Sequence, residues 1–184
     1  MNDDFDSPIV WIDLELTGLD INKDVIIEIA VIVTDGQLKK RKEGPSLIVN
    51  CSNDLLDNMN EWCTSHHNES GLTSKVKESK ISLKDAETMV LNFLQNDCFI
   101  KKGIGIIAGN SIHMDKMFLM KDMPNLNNYL HYRIIDVSSL KCLCQSWYPE
   151  VYKKLPWKKG SHRALDDIKE SIEELEFYRK NMMI

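Results

Sequence analysis

Asp13 and Glu15 stand two residues apart near the end of an otherwise apolar run, Ile9-Val10-Trp11-Ile12-Asp13-Leu14-Glu15. Along an extended strand alternate side chains share a face, so the two carboxylates point the same way and Leu14 points into the other. Carboxylates held that close repel unless a cation lies between them. Hard oxygen donors of this kind suit Mg²⁺ or Mn²⁺. A strand end reaching solvent has the same appearance, so an isolated Asp-x-Glu needs partners from elsewhere before it means a metal site.

Two later segments offer such partners. Asp115 follows the apolar run at 105–109 and falls in the first turn of an expected helix. An acid there already complements the helix dipole. Sites in α/β sheets gather at strand ends, however, which would bring Asp115 beside the first pair. The richer segment is Ser161-His162-Arg163-Ala164-Leu165-Asp166-Asp167, which opens a stripe of Ala164, Leu165, Ile168, Ile172 and Leu175. At about 100° per residue, Asp166 lies about 160° from the centre of that stripe and Asp167 about 100°. Asp166 therefore faces solvent, while Asp167, on the flank, can look toward a neighbouring strand and is the ligand candidate. A lone histidine is usually a surface residue, but His162 sits a short spacer before Asp167. A neutral imidazole in that place can take a proton from a metal-bound water.

The elements that must position these groups are legible from periodicity. Strands are expected at 9–15, 25–34, 46–50, 105–109 and 134–137, with a turn at 17–20 and a hairpin turn at Asp35-Gly36. Helices are expected at 54–66, ending near Gly71, and at 82–96 with Ser82 as N-cap. Others are expected at 114–123, stopped by Pro124, at 138–147 and at 163–180. A β-meander followed by alternating helices and strands predicts an α/β fold, a mixed five-stranded sheet flanked by helices. The 184 residues fit a single domain with its core at about 9–180.

Composition narrows the partner. The chain is 43% hydrophobic and 28% charged, with a net charge of −5. Proteins that track long nucleic acid usually carry a basic stripe, whereas this one has only local clusters at 39–42 and 153–159. A nucleic-acid ligand would have to be short, or be held by positive charge borrowed from metal ions. The five cysteines are odd in number and include no Cys-x2-Cys pair, so reduced thiols in an intracellular compartment are expected, and Cys142-Leu-Cys144 reads as packing rather than zinc binding. The acidic start, Met1 to Asp6, resembles neither a secretory signal nor an Arg-rich transit peptide, and no run reaches the ~20 apolar residues of a membrane span.

Trp11-Ile-Asp13-Leu-Glu15-Leu-Thr-Gly-Leu-Asp20 resembles the first motif of the oligoribonucleases, members of the DEDDh exonucleases within the ribonuclease H-like fold. Asn110-Ser111-Ile-His-Met-Asp115 resembles their second motif, and Leu130-His-Tyr-Arg-Ile-Ile-Asp136 a segment particular to oligoribonucleases. Ser161-His162-Arg-Ala-Leu-Asp-Asp167 matches the His-x-Ala-x-x-Asp signature. The likeness runs from about 9 to 180 and is nearest to the eukaryotic branch, the small RNA exonuclease of mitochondria and cytosol. Leu14 stands where many bacterial relatives carry cysteine, on the side away from the metal face.

The resemblance implies that Asp13, Glu15, Asp115 and Asp167 bind two divalent ions, Mg²⁺ or Mn²⁺, and that His162 is the general base. It implies Leu19 as a wedge between bases, Trp62 as a stacking platform, and His67 rather than His66 as the substrate-contacting histidine. Ser111 would touch a phosphate. Tyr132 and Arg133 would reach across a homodimer interface to close the partner's pocket over a 5′ phosphate. The activity so implied is 3′→5′ hydrolysis of short RNA, above all dinucleotides, to 5′-mononucleotides, in the cytoplasm and in mitochondria or the nucleus. Two alternatives remain: a DEDDh exonuclease acting on longer RNA or DNA 3′ ends, and a non-catalytic RNA-binding relative. The net charge and the 130–133 segment weigh against the first, and the presence of all five chemical residues against the second.

Overall fold

In the computed structural model, which describes residues 5–156 and 163–183, one sheet is built from β1 (Ile9–Leu16), β2 (Ile26–Thr34), β3 (Arg41–Ile48), β4 (Ile106–Gly109) and β5 (Ile134–Asp136). Its order is β3-β2-β1-β4-β5. The first three strands pair antiparallel, and β1–β4 and β4–β5 pair parallel. The helices are α1 (Asn53–Asp57), α2 (Glu61–Glu69), α3 (Leu72–Glu78), α4 (Leu83–Asn92), α5 (Ile112–Asp122), α6 (Pro124–Tyr129), α7 (Val137–Trp147), α8 (Pro149–Tyr152) and α9 (Ala164–Met182). The expected mixed five-stranded α/β architecture is thus present.

Alternation along β1 feeds two layers. Val10, Ile12 and Leu14 pack with Ala86 and Val90 of α4 and with Ile112, Phe118 and Leu119 of α5. Ile9 and Trp11 pack with Val137 and Cys144 of α7 and with Ala164, Ile168 and Ile172 of α9. Asp13 and Glu15 continue the second set, so they emerge on the α9 side where the sheet ends. β2 is buried at all of its positions, as a central strand covered on both faces must be.

The departures from the expected elements have local causes. β3 begins at Arg41 rather than 46 because Gly44-Pro45 is absorbed as an irregularity in the ladder, between the pairs Ala30↔Ser46 and Ile32↔Glu43. Proline is tolerated there because β3 is an edge strand. The helix expected at 54–66 is two helices, since Asn60 turns the chain and its Oδ1 caps the second by accepting from the Cys63 N–H at 2.9 Å. That break gives α2 its own direction over the end of β1. α3 was not anticipated; Gly71, at φ 71°, supplies the left-handed turn that starts it. Ser82 caps α4 through a reciprocal capping box with Asp85. The last turn, Phe93–Asp97, is π-helical. Pro124 both stops α5 and occupies the first turn of α6, where its missing N–H costs nothing.

Candidate active site

Beyond the pair Trp11↔Ala108 the β1–β4 ladder ends, and the open strand edge is met by α5. Asp115, buried in its first turn, accepts the backbone N–H of Leu14 at 3.0 Å. This contact anchors Asp115 between the two residues that flank Leu14, Asp13 and Glu15. α9 crosses the same sheet end and adds Asp167. One carboxylate oxygen from each of Asp13, Glu15 and Asp167 lies within 4.8 Å of the others. Asp166 is exposed, as its angle on the helix requires.

The electrostatics of this cluster are those of a site short of positive charge. Burial, and then the repulsion of Asp115, Asp167 and Glu15, pushes the Asp13 carboxyl well above the carboxylate range. Glu15 is raised to about 8, chiefly by burial and then by Asp167 and Glu28, against the opposing pull of Arg163. Asp115 is raised to about 7 by burial, with the Leu14 N–H acting in the other direction. Buried carboxylates that cannot all ionise are a fitting donor set for a hard divalent cation, whose charge removes the conflict.

Sequence reasoning missed two residues beside the acids. Glu28, fully buried, sits opposite Glu15 in the β1–β2 register. Arg163 grips it with Nη2 at 2.9 Å from Oε1 and Nε at 3.1 Å from Oε2. The signal was available: one acid inside the apolar run Ile26–Thr34 demands a buried cation from somewhere.

Glu15 also lines a neighbouring cleft of about 410 Å³, shared with Leu14, Leu16, Gly18, Leu19, Asn60, Trp62, Cys63 and His67. Leu19 and Trp62 are 69% and 57% exposed, so two large apolar groups stand open together along this cleft. The Trp62 ring stacks on His66 at 4.0 Å between centroids. His67 is buried beneath them, with Nε2 2.8 Å from the Leu16 carbonyl and Nδ1 3.9 Å from Glu15 Oε2. The neighbouring histidines thus have different settings, His66 against the Trp62 ring and His67 buried in the cleft wall.

Ser111 caps α5 in a left-handed conformation, φ 53°, which costs a non-glycine residue energy and marks a constrained site. Its N–H is held by Asp136 Oδ1 and Ser138 Oγ, each at 3.0 Å. Neither Asp136 nor Ser138 was read from sequence as a site residue; Asp136 is the N-cap of α7, and its Oδ1 also accepts the Ser138 N–H. Tyr132 and Arg133 lie in the segment entering edge strand β5. The Tyr132 ring stacks on His131 at 4.5 Å and carries Arg133 Cζ 5.4 Å from its centroid. No ion pair or hydrogen bond among the described residues joins either to the acids. His162 lies outside the described residues.

Residues 10–175 match the protein family described as Exonuclease. The mitochondrial oligoribonucleases of Mus musculus and Homo sapiens are 54% and 55% identical over 173 residues, spanning 94% of this chain and 72% of theirs. The chain belongs to the oligoribonuclease family of DEDDh exonucleases. Membership extends to bacterial relatives, since the oligoribonuclease of Hydrogenovibrio crunogenus is 49% identical over 176 residues, 96% of this chain and 94% of its own. Among solved structures, E. coli exonuclease I in complex with a dT13 oligonucleotide superposes with a TM-score of 0.72 at 14% identity over 96% of this chain. This chain spans 42% of that one, so the likeness establishes the shared ribonuclease H-like fold. The family uses divalent metal ions, in keeping with the acidic cluster. No described helix is long and apolar enough to cross a membrane.

Proposed function

We propose that this oligoribonuclease-family chain is a 3′→5′ exoribonuclease that hydrolyses short RNA oligonucleotides, dinucleotides best of all, to 5′-mononucleotides. The observation that carries the reading is the double membership of Glu15, in the acidic cluster and in the wall of the Leu19–Trp62 cleft. A base seated in that cleft has its phosphate beside the acids. Asp13, Glu15, Asp115 and Asp167 would hold two divalent ions, Mg²⁺ or Mn²⁺, which when bound neutralise phosphate charge and acidify water. The polypeptide does the rest. Trp62 stacks the 3′-terminal base, Leu19 wedges it from its neighbour, and His67 sits against the nucleotide from the cleft wall. His162 takes a proton from the attacking water. The new O–P bond forms as the bond from phosphorus to the 3′ oxygen of the preceding nucleotide breaks, so the released nucleotide keeps its 5′ phosphate.

Ser111, fixed by Asp136 and Ser138, meets the remaining phosphate. Tyr132 and Arg133, exposed at the sheet edge, complete the pocket of a second copy in a homodimer. A phosphate capped in this way makes the pocket measure length, and it explains how a chain of net charge −5 serves a polyanion without a basic track. The word mitochondrial in the mouse and human relatives' names supports a mitochondrial pool beside the cytoplasmic one.

The test is turnover of a 5′-phosphorylated diribonucleotide beside a long single-stranded RNA, with Mg²⁺ or Mn²⁺ and with EDTA. Metal-dependent release of mononucleotides, faster from the dinucleotide, is the expected result. Preference for the long strand, or full turnover by folded Asp13→Asn, refutes the assignment.

A further inference from the structure

Glu28 is a carboxylate with 0% exposure in β2, an interior strand of the sheet, which calls for an explanation on its own. It faces Glu15 across the β1–β2 ladder. Paired residues on adjacent strands share a face. Glu28 is therefore aimed at the metal-binding side of the sheet, yet the three-acid cluster of Asp13, Glu15 and Asp167 does not include it. Its oxygens are taken instead by the two-point fork of Arg163. Bidentate guanidinium–carboxylate pairs fix direction as well as distance.

Arg163 is also the N-cap residue of α9. Its carbonyl accepts the N–H of Asp166 at 2.9 Å and that of Asp167 at 3.1 Å. One residue thus grips the sheet opposite Glu15 with its side chain and holds the helical turn bearing Asp167 with its backbone. Ligand distances in well-formed divalent-ion sites agree with their standard values to within about 0.2 Å. A helix end that shifts or rotates by more than that spoils the site without unfolding the protein.

We infer that the Glu28–Arg163 pair is a positioning clamp for the metal ligands. It registers the start of α9 against β1 and β2, and so sets the spacing of Asp167 from Asp13 and Glu15 and with it the affinity for divalent cations. Neither residue of the pair ligates the ion. The inference rests on the proposed two-ion role of the acids.

Two variants of the full chain test it, with Mn²⁺ as the probe and calorimetric titration without substrate as the readout. Arg163→Lys keeps the charge and loses the fork. Glu28→Met with Arg163→Met removes both charges together, an exchange that buried ion pairs often survive without loss of stability. Both should bind Mn²⁺ about 10- to 100-fold more weakly, the range for groups that orient metal ligands. The double variant should melt close to wild type in EDTA. Wild-type Mn²⁺ affinity in Arg163→Lys, or in the folded double variant, overturns the clamp; if the double variant does not fold, Arg163→Lys decides alone. Wild-type protein assayed for dinucleotide turnover in the same preparation separates the two readings. Mn²⁺ binding that depends on the clamp without turnover removes the proposed activity and leaves the clamp, whereas wild-type protein that takes up no Mn²⁺ overturns both.

Discussion

The backbone N–H of Leu14 donates to Asp115 Oδ1 at 3.0 Å, joining residues 101 positions apart at the point where β1 outruns β4. A bond to the backbone, rather than to a side chain, means that this acid is held by the strand carrying Asp13 and Glu15 and cannot drift from them independently.

Asp115→Asn separates that structural role from the chemical one. The amide oxygen still accepts from Leu14, while the negative charge is gone. The variant should melt in EDTA no lower than wild type, because a buried repulsion has been relieved. Dinucleotide turnover should fall by a factor on the order of 10²–10³, the scale seen when a fixed electrostatic group is taken from a transition state. Undiminished turnover in the folded variant would remove Asp115 from the site.

The raised carboxyl groups make the stability of the metal-free protein depend on pH. Glu15 titrates at about 8 against an ordinary 4.5, chiefly because it is buried. Asp115 titrates at about 7 against an ordinary 3.8, for the same leading cause. Between those limits the folded chain keeps protons that the unfolded chain has released, so stability is present at low pH and is lost as pH rises through the folded values. Melting temperature in EDTA should decline from about pH 5 to about pH 8, and Mn²⁺ added at the upper end should restore it. A profile that rises over this interval would mean that the acids are not buried against one another.

The β1 pair, the flank position of Asp167 and the capping Ser82 were legible because each follows from a short-range rule of period or cap. Asp115 was legible only as a candidate, since a helix-dipole role explained it equally well. What could not be read was anything fixed by a distant partner. β3 begins before the strand expected at 46–50 because Gly44-Pro45 is tolerated as an irregularity, with Gly44 against the Phe93 ring. Glu28 went unread because the cation that its burial demands, Arg163, comes from 135 residues away. One local feature also went unread: Asn60 breaks the expected helix in two because its cap on the Cys63 N–H outweighs continuous helical propensity.

Gly44→Ala should separate folding from function. An added Cβ would overlap Cε1 of the Phe93 ring, so the ring or β3 must move. Overpacking of this kind costs ~1–3 kcal/mol, and each kcal/mol lowers the melting temperature of a chain this size by ~2–4 °C. β3 is two strands from β1. Turnover per folded molecule should therefore stay at the wild-type level, measured by active-site titration well below the melting temperature. A proportionate fall in turnover would show that strain at the edge strand reaches the acids.

Trp62→Ala tests the cleft rather than the metal ligands. The ring is mostly exposed and rests on His66, so its loss should leave the melting temperature nearly unchanged. Base–aromatic stacking is worth ~1–3 kcal/mol, or a roughly 5- to 150-fold fall in kcat/KM. The loss should be greatest for a diribonucleotide, which has few other contacts from which to draw affinity, and smaller for a five-nucleotide RNA. His66→Ala should give a weaker version of the same pattern, because it frees the ring without removing it. Undiminished kcat/KM on both substrates would place Trp62 outside the base-binding surface, and a change in Mn²⁺ affinity would show that the cleft and the acidic cluster are mechanically one unit.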